Sequence, residues 1–299
     1  KLLSRIYNAR DLYLIILIPF IYVLIFNYGP MYGAQIAFRK YNPMLGISES
    51  PWIGLDNFTR FFSVYNFGRI IINTLTLSIY GLIAGVPIAI LLALGLNSTR
   101  NQGFKKTIQM VTYAPYFLSV VVLVGMLTQL LSPQFGIVNR VLALFGVEAI
   151  DFMGSAAIFP HLYVWSGVWQ GAGYSSIIYL ATLSSVDPEL HEAAIVDGAS
   201  IWKRILHIDL PSILPTAIIL LIMACGKVLT VGYEKVLLLQ NDMNLSTSDI
   251  ISTYVYRVGL NGMQYSYSTA IGLFQSVVSL LMLLLVNWIA RRVGETSLF

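Results

Sequence analysis

Six stretches of this 299-residue sequence, at positions 12–32, 70–96, 108–131, 159–183, 212–231 and 269–290, stay apolar for 20 residues or more and hold one charged residue between them, Lys227. An α-helix rises about 1.5 Å per residue, so about 20 residues cross the roughly 30 Å of hydrocarbon in a bilayer. Charged residues make up only 11% of the chain, where a soluble globular protein carries about 25%. A soluble chain this poor in charge would expose too much apolar surface, which excludes an ordinary cytosolic enzyme. A membrane β-barrel needs period-two alternation, and runs such as Ile88-Ala-Ile-Leu-Leu-Ala-Leu94 have none. The expected fold is all-α: a single polytopic domain over residues 1–299 with six transmembrane helices in a lipid bilayer.

Basic residues are retained on the cytoplasmic side of short loops. Lys1, Arg5 and Arg10, then Arg100, Lys105 and Lys106, then Lys203 and Arg204, and finally Arg291 and Arg292 cluster beside one set of span ends. Arg39, Lys40, Arg60, Arg69, Arg140, Lys235 and Arg257 are spread over much longer connections at the other set. Both termini are therefore expected in the cytoplasm, as an even number of spans also requires. The net charge of +4 is mostly topology information. No basic stripe interleaves with stacking aromatics, so nucleic acid is not an expected partner. The first apolar run is too long for a signal peptide and lacks a small-residue cleavage site, so it reads as a retained span. Asn27-Tyr-Gly-Pro30 should loosen its outer end. Cys225 is the only cysteine, which precludes an intrachain disulfide and suits a small buried apolar residue.

Catalytic patterns are missing. There is no phosphate loop ending in Gly-Lys-Ser/Thr, no Gly-x-Ser-x-Gly and no cysteine pair. His191-Glu192-Ala-Ala-Ile195 lacks the second histidine of a zinc-binding helix, and His161 and His207 complete no metal site. Energy for any work must come from a partner or a gradient.

The connection at 184–211 is built rather than merely connecting. Asp187 is a good N-cap, Pro188 suits the first helical position, and Glu189 complements the positive helix end. A short helix should run through Leu190–Val196. Gly198 supplies a left-handed turn, and Ser200 caps a second short helix bearing Ile201, Trp202, Ile205 and Leu206. Pro211 and Pro215 should then open the fifth span. Glu192 beside small Ala193 and Ala194 suits a docking knob; the same pattern also suits an amphipathic loop lying on the membrane surface.

Glu192-Ala193-Ala194, three residues, Gly198, nine residues, then Ile208-x-Leu210-Pro211 resembles the EAA signature of inner-membrane permease subunits of binding-protein-dependent ABC importers. Trp52-Ile-Gly-Leu-Asp-Asn-Phe58, Asn73-Thr74 and Tyr254-Val-Tyr-Arg257 resemble the carbohydrate branch, in texture closest to the oligosaccharide, aldouronate and alginate uptake systems. The resemblance implies a type I importer permease fold and a non-catalytic subunit that binds no cofactor itself. It implies a second related permease, two ATP-binding cassette subunits holding ATP and Mg, and an extracytoplasmic solute-binding protein that delivers an oligosaccharide. Glu192 would anchor the helix that couples to the ATPase, Gly198 would set its angle, and Ala193 and Ala194 would keep the contact close. Gly198→Asp is then expected to uncouple ATP hydrolysis from transport.

On the fourth span, Gln170 and Tyr174 fall within about 20° of Tyr163 on a helical wheel, next to Gly167 and Gly171, with Trp165 and Trp169 roughly opposite. Intramembrane polar groups usually face the bundle interior or a water-filled cavity. Tyr163, Gln170 and Tyr174 are thus expected along the cargo path; stacking of sugar on the tryptophans, or simple packing, are the competing readings. Lys227 is expected inside the fifth helix, in its outer half. It either snorkels outward, pairs with Glu234, or faces the path and attracts an acidic, uronate-bearing cargo. Gly81-x-x-x-Gly85 reads as a close helix contact and Pro87 as a kink. Tyr113, Pro115 and Tyr116 read as interfacial anchors or a gate. The long outer connections at 33–69, 131–158 and 232–268 are candidates for contact with the binding protein. A secondary transporter would need inverted halves with broken helices, and an intramembrane enzyme convergent acids or nucleophiles; neither pattern is present.

Overall fold

The computed structural model describes residues 10–293. Lys1, Arg5 and the two chain ends, which the charge pattern assigns to the cytoplasm, lie outside them. The described chain is helical, with no strand beyond two isolated bridges, Arg39–Trp52 and Asn42–Gly46. Its principal helices are α1 (Arg10–Val23), α2 (Asp56–Phe62), α3 (Phe67–Ser98), α4 (Gln102–Tyr113), α5 (Val120–Leu130), α6 (Ile137–Leu144), α7 (Phe159–Ser184), α8 (Pro188–Val196), α9 (Ile201–Cys225), α10 (Tyr233–Leu239), α11 (Ile251–Tyr256) and α12 (Tyr265–Val293). Two compact units divide the chain: the first runs to Tyr65 and includes Val255–Phe274, and the second is Asn66–Tyr254 with the residues from Gln275 onward.

In the first unit, α1 continues through a π-turn at Leu24–Tyr28 and a 3-10 turn at Tyr32–Phe38, making a 29-residue apolar run, Arg10–Phe38. None of the α1 side chains is buried. A helix apolar on every face and exposed on every face belongs in lipid. Beyond it the chain folds into a clamp. The Arg39 guanidinium donates to the Ser48 and Ser50 carbonyls at 2.9 and 2.8 Å, the Phe38 and Trp52 rings stack at 5.5 Å, and Asn57 donates to the Ala37 carbonyl at 2.8 Å.

In the second unit, α7 lies along α3, its most extensive partner. Leu77, Val124, Phe159, Val236, Leu239 and Ile250 form one buried cluster; Ala89, Ala93, Leu94, Tyr179, Leu183, Ile213 and Ala217 form another. Asn73-Thr74 pins a loop: Asn73 donates to the Ser246 and Asp249 carbonyls, both at 3.0 Å, and Thr74 Oγ1 accepts from the Ile251 amide at 3.0 Å.

Four described helices are long and apolar enough to cross a membrane: Arg10–Phe38, Phe67–Ser98, Ile201–Cys225 and Tyr265–Arg292. The expected continuous helix at 108–131 is instead two, α4 and α5, bent by 102° across Ala114–Phe117. Pro115 lacks an amide hydrogen, and the Ser119 side chain restarts the helix by accepting from the Val122 amide. Counted as one span, this pair makes five. The 26-residue α7 has the length, but Ser, Gly, Gln and Tyr lower its hydropathy.

The fifth stretch is also corrected. No second short helix ends before Pro211; α9 starts at Ile201 and passes through a π-turn at Ile205–Asp209 and through Pro215 to Cys225. It stops there instead of reaching residue 231, so Lys227 lies exposed in a turn whose Val228 and Leu229 are buried, not in a helix. The turn is tolerated because its carbonyls are caught: Ser78 donates to Val228 and Gln275 to Leu229.

Candidate functional site

One face of α7 borders a cavity of about 620 Å³ in the second unit, within the range of small-molecule sites. Tyr163, Gln170 and Tyr174 all line it, with Gly167 and Gly171 between them. Trp165 and Trp169 lie on the opposite face, 50% and 52% exposed. The Trp165 indole donates to the Tyr80 hydroxyl at 2.8 Å, which is itself 2.8 Å from His161 Nδ1. Gly81 and Gly85 do not form the expected close contact. A Cβ at Gly81 would meet nothing within 4 Å, and one at Gly85 only Val168 at 4.0 Å; both glycines widen the cavity wall.

The bend between α4 and α5 is tied to this face. The Gln170 amide donates at 2.9 Å to the Leu118 carbonyl, which the bend has released from helical bonding. Tyr116 stacks on Tyr174, with centroids 3.8 Å apart and planes 4° from parallel. Tyr116 thus backs Tyr174, which lines the cavity, and Pro115 is buried in the bend.

The charge in the cavity is Lys235, not Lys227. Lys235 sits on α10 beside Val236 and Leu239, all three buried, and is 8% exposed. Its Nζ donates to the Tyr163 carbonyl at 2.8 Å and lies 4.8 Å from the Tyr163 ring centroid. Gly167 makes room for it; a Cβ there would lie 3.3 Å from Nζ. No ion pair to Lys235 occurs among the described residues. Burial pushes its ammonium down to about 8, which leaves it charged at neutral pH. Lys227 lines a smaller neighbouring cavity of about 240 Å³ with Tyr163 and Gly232. Sequence reading passed over Lys235 because it lies four residues beyond the end of the fifth apolar stretch. The available signal was a lysine set directly before Val236-Leu-Leu-Leu239 on a short helix.

At the other end of α7, α8 and α9 form an elbow. The Asp187 carboxylate accepts from the Glu189 amide at 3.0 Å, and Ser200 Oγ from the Lys203 amide at 3.4 Å, so each helix has its own cap. Gly198 has φ +75°. The Ala199 amide donates to the Ala194 carbonyl at 2.8 Å and the Gly198 amide to the Ile195 carbonyl at 3.0 Å, the paired bonds of a Schellman turn. The three-residue spacing from Ala194 to Gly198 is the spacing this turn demands. Glu192 and Ala193 are exposed and Ala194 half-buried, with exposed Leu190, Ile195 and Val196 alongside. Ile208 and Leu210 are half-buried and Pro211 is exposed.

Asp209, between Ile208 and Leu210, is 3% exposed. Its Oδ1 lies 3.4 Å from His191 Nε2 and accepts from Asn97 Nδ2 at 3.3 Å. Three elements thus meet on one carboxylate: the C-terminal end of α3, the residue before Glu192 on α8, and the π-turn of α9. Nothing in the sequence pattern had singled out Asp209.

A family model described as the inner membrane component of binding-protein-dependent transport systems matches residues 85–295. The chain belongs to this family. It is a multi-pass inner-membrane permease with the type I fold of ABC importers. Over its full length the permease is 42% identical to the polygalacturonan/rhamnogalacturonan transport system permease protein YteP of Bacillus subtilis strain 168, covering 93% of that protein. It is 40% identical to the protein LplB of the same organism over 99% of the chain and 93% of that protein. It also superposes on a chain of the crystal structure of a bacterial alginate ABC transporter in complex with an alginate pentasaccharide-bound periplasmic protein. That match has a TM-score of 0.90 and 40% identity, and covers 99% of both chains.

Proposed function

We propose that this permease forms half of the translocation path of an ATP-driven importer for an oligosaccharide. The observation that carries this reading is the cavity on α7, where the Gln170 amide, the Tyr163 and Tyr174 rings and a lysine converge around a volume suited to sugar residues. Relatives named for polygalacturonan and alginate support the same cargo class. In this reading the six spans are Arg10–Phe38, α3, the bent α4–α5 pair, α7, α9 and α12, with both termini in the cytoplasm. Glu192 and its small neighbours dock on an ATP-binding subunit, and α8 passes the motion through the Gly198 elbow to α9. The chain itself is non-catalytic; a second permease, two ATPase subunits holding ATP and Mg, and a solute-binding protein complete the machine.

Purification in detergent tests the assembly: the chain is expected to bring down a second permease and two ATPase chains. Isolation as a lone, gradient-driven carrier would overturn the reading. Within the complex, Gln170→Ala and Tyr174→Ala are expected to slow oligosaccharide uptake about 5- to 12-fold, corresponding to one lost hydrogen bond or aromatic contact of about 1–1.5 kcal/mol. Trp169→Ala should leave uptake near normal. The reverse pattern in proteoliposome uptake would move the path to the tryptophan face.

A further inference from the structure

We propose that Lys235 selects the cargo: its ammonium receives the carboxylate of a uronate-bearing oligosaccharide while Tyr174, backed by Tyr116, supports the sugar rings. The inference rests on the permease reading above and adds the substrate class and the residue that reads it. A lysine has three N–H donors. In the structure one is spent on the Tyr163 carbonyl, and no carboxylate neutralises the charge among the described residues. Buried charges are normally paired, so a buried cation beside a cavity and without a counter-ion calls for an anionic ligand. The Tyr163 ring beneath Nζ offsets part of the desolvation and fixes the ammonium in place. A neutral sugar supplies hydroxyls to the remaining donors but leaves the charge uncompensated. A uronate supplies two carboxylate oxygens and the missing charge together. The structural relatives include a transporter for the acidic polysaccharide alginate, 41% identical to this chain over 97% of its length.

The test uses the whole complex in proteoliposomes, with its solute-binding protein and two probes: a trigalacturonate, and the same trisaccharide with its carboxyl groups reduced to alcohols. Lys235→Met keeps the apolar stem and removes the charge. It is expected to lower trigalacturonate uptake about 10- to 100-fold, the scale of one hydrogen bond to a charged group, without lowering the melting temperature of the complex. Lys235→Arg should restore most of the uptake. Wild-type trigalacturonate uptake by Lys235→Met would overturn the proposal, as would an uptake loss accompanied by a lower melting temperature and no rescue by arginine. If the wild-type complex imports the reduced trisaccharide but not trigalacturonate, this inference falls and the permease reading stands. If it imports neither these nor other oligosaccharides, the permease reading itself fails.

Discussion

Gly198→Val is expected to separate ATP hydrolysis from transport while the complex still assembles. Gly198 holds φ +75° at the turn that ends α8, and a Cβ there would meet nothing within 4 Å. Steric crowding is therefore absent, and the whole cost falls on the backbone. A non-glycine residue in the left-handed region costs about 1–2 kcal/mol, more when β-branched. That is enough to shift the population of the elbow by about 5- to 30-fold. Relaxing the strain breaks the paired bonds to Ala194 and Ile195, and Glu192 then no longer points where α9 can follow it. Uptake per ATP hydrolysed should fall about tenfold. Gly198→Asn is the control, since asparagine tolerates the left-handed region, and should stay coupled. Gly198→Asp shares that tolerance and finds open space, so an effect there would report its charge rather than the turn. Full coupling in the valine variant would remove the elbow from the mechanism.

The elbow was legible in the sequence because its determinants are local. Asp187, Pro188, Gly198 and Ser200 act within a few residues of themselves, and each stands in the structure in the capping or turn role that its chemistry suggests. The α7 face was legible for a similar reason, since a regular helix fixes which residues share a side. The bend at Pro115 was not. Pro19, Pro87 and Pro215 lie inside continuous helices, so proline alone does not announce a break. At Pro115 the break is held by partners far away in sequence, Gln170 on the Leu118 carbonyl and Tyr174 on Tyr116. Lys235 and Asp209 escaped notice on the same grounds: their significance comes from burial against residues 72 and 112 positions away, Tyr163 and Asn97.

Glycines on α7 carry that distinction to its most testable form. The sequence places Gly167, Gly171 and Gly173 within two turns of one helix and gives no means of ranking them. Gly171 has nothing within 4 Å of a Cβ, and Gly167 faces only the flexible end of Lys235. A Cβ at Gly173 would lie 2.5 Å from the Thr112 carbonyl carbon and closer still to its oxygen, where real Cβ atoms essentially never come within 3.0 Å. The obstacle is backbone of α4 and cannot rotate aside. Gly173→Ala is therefore expected to cost about 1–3 kcal/mol or more by overpacking, seen as a lower melting temperature and loss of monodisperse complex in detergent. Gly171→Ala, two residues away, should leave both unchanged. The damage should reach beyond packing, because the same α4–α7 approach holds Tyr116 against Tyr174 and brings Leu118 within reach of Gln170. Any Gly173→Ala complex that survives purification should therefore transport as poorly as Tyr174→Ala. Equal tolerance of alanine at both positions would mean that α4 can retreat from α7 without loss, and the bend would then be no fixed part of the cavity wall.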